Sequence, residues 1–97
     1  MLTGKQRAYL RSMANTMEVI FQIGKNGIDE AIVKQINDAL EARELIKINV
    51  LESSGLQARE ASDILCGLLK CEGIQAIGKK VVIYRKSEKK PKIELIK

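Results

Sequence analysis

The sequence predicts an α/β fold, a two-layer sandwich in which helices cover one face of a mixed four-stranded sheet, with elements in the order α-β-α-β-α-β-β. Three observations lead there. Val19, Phe21 and Ile23, and then Ile46, Ile48 and Val50, fall on alternate positions, as half-buried strands require. Residues 28–42 and 57–70 repeat apolar side chains every three or four positions, the period of an amphipathic helix. Gly78-Lys79-Lys80 joins two short apolar runs through a turn that permits only antiparallel pairing. The strand-helix-strand units favour right-handed crossovers and parallel pairing, so the sheet is mixed. Alternation in its strands implies that one face is covered and the other more open.

The elements follow in order. Residues 4–14 form a short helix with Thr3 as N-cap, Gln6 completing a capping box, and Leu10, Met13 and Ala14 on one face. Val19, Phe21 and Ile23 alternate along the first strand, which Gly24-Lys25-Asn26-Gly27 terminates. Ile28, Ile32, Ile36, Ala39 and Leu40 make the apolar stripe of the second helix, and Asp29 and Glu30 suit its positive N-terminal end. Ile46, Ile48 and Val50 share one face of the second strand, and Ser53-Ser54-Gly55 is a loop. The third helix is expected to bury Ala61, Ile64, Leu65, Leu68 and Leu69 before Gly73 stops it. Residues 74–77 and 81–85 are the last two strands. Residues 1–86 therefore read as a single domain and residues 87–97, with the only proline, as a basic and loosely ordered tail.

The 97 residues suffice for one modest core. No apolar run approaches the ~18 residues of a membrane span, and the N-terminus lacks a signal-peptide segment, so a cytoplasmic protein is expected. The absence of histidine removes the commonest general base and metal ligand. Ser53-Ser54 has no histidine partner, no P-loop spacing occurs, and Glu41, Glu44, Glu52 and Asp63 show no paired-carboxylate arrangement. The expectation is a chain that is not an enzyme and has no cofactor, metal or small-molecule substrate. On one helix Cys66 and Cys71 would lie about 140° apart, so they are expected to face different directions as reduced thiols, with Cys66 in the core.

Charge is the first positive clue. The chain carries +5, with its bases segregated to the two ends: residues 1–17 hold Lys5, Arg7 and Arg11 and no acid, and residues 79–97 hold eight bases against two acids. A polyanion-binding surface needs such segregation. Three basic sets are candidates. Gly24, Lys25, Asn26 and Gly27 form a GxxG loop between a strand and a helix, the arrangement with which KH modules clamp a nucleic-acid backbone. Lys79 and Lys80 in the turn, with Arg85 at the strand end, form the second set. Lys5, Arg7 and Arg11 on the first helix form the third. The three aromatics, Tyr9, Phe21 and Tyr84, are too few for a base-stacking sheet, so recognition of backbone and shape, hence structured RNA, is expected.

Over about residues 2–86 the chain resembles the CRM-domain family, known from chloroplast splicing factors and from stand-alone bacterial proteins of the YhbY type. The resemblance is carried by Leu2-Thr3-Gly4-Lys5-Gln6-Arg7, Ile23-Gly24-Lys25-Asn26-Gly27-Ile28, Glu44-Leu45-Ile46-Lys47-Ile48 and residues 75–85 from Gln75 to Arg85, in that order. It departs from the family at Ala14-Asn15-Thr16, where Ala-His-Pro is common, and in the acid pair after the loop. The resemblance implies a fold similar to the C-terminal domain of translation initiation factor three. It also implies docking on ribosomal RNA of large-subunit precursors to assist ribosome assembly, through Gly24, Lys25, Asn26 and Gly27 with Lys79, Lys80 and Arg85 in support. The alternative is a protein-interaction adaptor recruiting assembly factors, its basic ends serving only solubility.

Overall fold

The computed structural model describes residues 2–95. Helix α1 (Gly4–Ala14) starts at the expected capping box: the Gln6 N–H donates to Thr3 Oγ1 at 3.1 Å, and the Thr3 N–H donates to Gln6 Oε1 at 3.0 Å. Strand β1 (Phe21–Ile23), helix α2 (Glu30–Arg43), strand β2 (Leu45–Val50), a short 3-10 turn (Glu52–Ser54), helix α3 (Ala58–Leu69) and the hairpin β3 (Glu72–Ile77) and β4 (Lys80–Tyr84) follow. Class, order and mixed sheet are as the sequence predicts.

The strands lie in the order β1-β2-β4-β3. α2 carries the chain over from β1 to a parallel β2, and β4 runs antiparallel to both of its neighbours. β4 takes a central place because Val81, Val82, Ile83 and Tyr84 are apolar at every position, and a strand buried on both faces needs that. Ile46, Ile48, Val50, Val81 and Ile83 face α2 and α3, where they meet Ile36, Leu40, Ala61 and Leu65.

The opposite face is not open. Leu45, Ile74, Val82 and Tyr84 form a second buried cluster with Leu10 and Ala14 of α1, with Ile93 and Leu95 packed against it. Only α2 and α3 share a face; α1 covers the other, where helices on one face are expected from the sequence. The apolar stripe of α1 and the unbroken apolar run of β4 are the physical reason, since each has to be covered.

Residues 87–95, for which a loose tail is expected, follow a path set by two carboxylates. Glu44 is fully buried and accepts the backbone N–H groups of Ser87 at 2.8 Å, Lys92 at 2.5 Å and Ile93 at 2.6 Å. Glu41 accepts from the Ser87 hydroxyl and from the N–H of Lys89 at 3.2 Å. Desolvation pushes the Glu44 carboxyl up, but the three N–H donors outweigh it and hold the group below its ordinary value. Glu41 is lowered as well, chiefly by the Ser87 hydroxyl and then by the backbone donors.

Two further expectations change. Ile64 and Leu68 are 41% and 58% exposed, because α3 turns them away from the sheet. Cys66 and Cys71 face each other, with Sγ atoms 3.7 Å apart, and Cys71 rather than Cys66 is the buried one. The helix ends at Leu69 and Lys70 adopts a left-handed φ of 53°, so Cys71 no longer follows the helical rotation.

Candidate nucleic-acid interface

The end of β1 opens into the GxxG loop. The Gly27 N–H donates to the Gly24 carbonyl at 2.8 Å, closing a four-residue turn with Lys25 and Asn26 exposed at its tip. Gly27 has φ +64°, a conformation that side chains with a Cβ resist, and a Cβ there would meet nothing within 4 Å. Gly24 is different: a Cβ would rest at 3.5 Å from Leu51 Cδ1 and Ser53 Oγ, in ordinary contact.

Hydrogen bonds lace this loop to two others. The Leu51 N–H donates to the Ile23 carbonyl at 2.9 Å, and the Val50 N–H donates to the Lys79 carbonyl at 2.7 Å. One end of the sheet thus presents the 24–27 loop, the 51–55 loop and the hairpin tip together. Gly78, with φ +59°, takes the left-handed position of the two-residue hairpin loop. Lys80 Nζ donates to Asn49 Oδ1 across the strands at 3.3 Å, and Lys79 Nζ lies 4.0 Å from Glu52 Oε1 in an exposed pair. A groove beside the tip is lined by Val50, Leu56, Gln57, Arg59, Gly78 and Lys79.

The start of α2 carries two carboxylates. The Asp29 carboxylate accepts the Ile32 N–H at 2.9 Å as N-cap, and Glu30 follows in the first turn.

The candidate residues therefore divide. Gly24, Lys25, Asn26, Gly27, Lys79 and Lys80 are brought together. Arg85 is at the other end of β4, where Nη1 donates to Asn37 Oδ1 at 2.8 Å and to the Leu69 carbonyl at 3.1 Å, and Nη2 donates to the Asn37 carbonyl at 3.2 Å. It ties α2 to the end of α3. Arg7 likewise donates to the Gly73 carbonyl at 2.5 Å and pairs with Glu72 at 3.6 Å, fastening α1 to β3. Lys5 is exposed and Arg11 half-buried on α1. Tyr84 is buried under α1 and the tail, so the sheet offers no stacking platform through it.

Arg59 and Asn49 join this end without having been expected there. Their neighbourhood depends on where the 51–55 loop delivers α3 and on β2 pairing with β4, and neither leaves a local signal. Among the described residues no group of three or more Cys, Asp or Glu side chains converges as a metal site would require, and no helix is long and apolar enough to cross a membrane.

The model of the CRS1 / YhbY (CRM) domain matches residues 2–85. A Bacillus subtilis relative named "Probable RNA-binding protein YqeI" is 42% identical over 95 residues, covering 98% of this chain and 99% of its own. A Haemophilus influenzae relative named "RNA-binding protein" is 32% identical, covering 97% and 94%. The solution structure of SAV1595 from Staphylococcus aureus is similar with a TM-score of 0.78 and 46% identity, over 99% of this chain and all of that one.

Proposed function

Starting from the fact that the chain belongs to the CRS1/YhbY (CRM) domain family, we propose that it is a non-enzymatic RNA-binding protein of the cytoplasm whose ligand is ribosomal RNA in large-subunit precursors, and that it assists their assembly. The observation that carries this reading is the lacing of the GxxG loop to the hairpin tip through Leu51 and Val50. It gathers Lys25, Lys79 and Lys80 around a glycine turn with open space before it. RNA docks first by charge, releasing counterions from its phosphates. The turn at Gly27, with no side chain, then lets the protein backbone approach the RNA backbone closely. With both sheet faces covered, recognition runs through backbone and shape.

The test is sedimentation of the protein in a cell lysate on sucrose gradients at low and high salt, beside a variant with Lys25, Lys79 and Lys80 changed to Glu. The native protein is expected to travel with precursor or free large subunits at low salt and to leave them as salt rises. The variant is expected to stay at the top of the gradient. Native protein remaining at the top at every salt concentration would sink the ribosomal reading; an unaffected variant would sink this site. A second reading, a protein adaptor, draws on the exposed Ile64 and Leu68 of α3. It predicts co-sedimentation that survives the triple charge reversal and is lost when those two side chains are made polar.

A further inference from the structure

We propose that Cys66 and Cys71 form a peroxide-responsive dithiol, in which Cys66 is oxidised first and Cys71 then closes an intramolecular disulfide. The two Sγ atoms are 3.7 Å apart. A disulfide needs about 2.05 Å, a closure within reach of side-chain rotation and a small shift at the helix end. Lys70, at the left-handed position between α3 and β3, turns the chain so that the second sulfur meets the first.

The surroundings assign the two thiols different roles. Both cysteines line an open groove with Ser62, Asp63, Glu72 and Gly73, wide enough for a small oxidant, and Cys66 is the half-buried, more accessible of the two. The S–H of Cys71 holds the Cys66 thiol down to about 7, against desolvation. The Ser62 hydroxyl helps, and the charges of Asp63 and Glu72 oppose. Reactivity of a cysteine follows its thiolate. Cys71 is buried, and its thiol is pushed up by its hydrogen bond to Cys66 and by desolvation. Gly73 makes the approach of β3 possible, since a Cβ there would stand 2.9 Å from Ser62 Oγ and 3.5 Å from Cys66 Sγ.

The chemistry balances with hydrogen peroxide as the oxidant. The Cys66 thiolate attacks peroxide, an S–O bond forms as the O–O bond breaks, and the departing hydroxide takes up the proton that Cys66 released to become water, leaving a sulfenic acid. The Cys71 sulfur then attacks Cys66 Sγ. The S–S bond forms, the S–O bond breaks, and the departing hydroxyl takes the Cys71 proton as water. Two thiols and one peroxide become one disulfide and two waters. What Cys71 lacks in thiolate fraction, proximity supplies.

Trypsin provides the readout, because Lys70 lies between the two cysteines. Full-length folded protein is treated with hydrogen peroxide, blocked with N-ethylmaleimide, run on a non-reducing gel, and the monomer band digested. The peptides of residues 60–70 and 71–79 are expected to emerge joined and to separate on reduction. Joining should be at least about tenfold faster than in the same chain unfolded in urea, as preset geometry demands. In Cys71→Ser, dimedone is expected to capture a sulfenic acid on Cys66; in Cys66→Ser, Cys71 should keep its thiol under the same treatment. Unjoined peptides after peroxide, equal rates in folded and unfolded chains, or first oxidation at Cys71 would each overturn the proposal.

Discussion

Glu44 combines two costly properties at one residue. Its backbone has φ 67° and ψ −42°, a region that residues with a Cβ occupy at a cost, and its carboxylate is fully buried. The three N–H donors of the tail compensate the charge, and the Arg85 N–H donates to the Glu44 carbonyl at 2.9 Å. Glu44→Ala is expected to lower stability by about 2–4 kcal/mol in urea unfolding, from lost charge-assisted hydrogen bonds. Glu44→Gly should recover about 1 kcal/mol of that by relaxing the backbone. The folded pKa values of Glu44 and Glu41 are lowered, so their contribution is present above the ordinary carboxylate value of 4.5 and is lost as pH falls through the folded values. The amide signals of Ser87, Lys92 and Ile93 in NMR should report release of the tail in that acid range. Gly27 and Gly24 make a second contrast. Gly27→Ala is expected to cost about 1–2 kcal/mol through its positive φ, and Gly24→Ala less than about 0.5 kcal/mol, measured by thermal unfolding.

Between elements, the contact of α3 with β3 is set by glycine at 73, and β3 bulges immediately after it: the pairing steps from Gly73–Ile83 to Gln75–Val82, leaving Ile74 as the extra residue. The bulge turns Ile74 into the cluster beneath α1. Gly73→Ala forces its new methyl to within 2.9 Å of Ser62 Oγ, and Ser62 is itself buried. The substitution is expected to destabilise by about 1–3 kcal/mol. Ser62→Ala removes the clashing oxygen, so the double variant should be more stable than the sum of the two single changes. A double-mutant cycle in urea measures that coupling, and strict additivity would place the strain elsewhere.

For the whole molecule, the tail acts as part of the second core. Ile93 and Leu95 pack against the cluster that contains Leu45, Val82 and Tyr84, while Glu41 and Glu44 hold the backbone that leads to them. Ending the chain after Lys86 is expected to cost about 2–4 kcal/mol by calorimetry, from apolar area and hydrogen bonds lost together. The GxxG loop is at the β1 exit, at the opposite end of β2 from the tail's anchor at Glu44. RNA binding sensitive to Lys25→Glu should therefore persist in the shortened protein, at a temperature where it remains folded.

Short-range pattern encodes the elements that can be read along the chain. The Thr3 and Gln6 capping box, the stripe of Ile36 and Leu40, the alternation of Ile46, Ile48 and Val50, and the Gly78 turn each depend on residues within a few positions of one another. The GxxG loop was legible for the same reason, since its turn closes on itself from Gly27 to Gly24. Which basic side chains are tied up within the fold is set by contacts between distant elements. Arg85 and Arg7 read like Lys79 and Lys80 along the chain, but their guanidinium groups bond carbonyls more than ten residues away, and planar donors held by such backbone acceptors become braces. The covering of the second sheet face by α1 and the tail and the arrival of Arg59 in the groove that Lys79 lines are likewise long-range, and Cys66 meets Cys71, five positions on, only because the chain turns at Lys70. Each depends on where one element ends and how the next packs, and burial is paid out over the whole molecule rather than along any one segment.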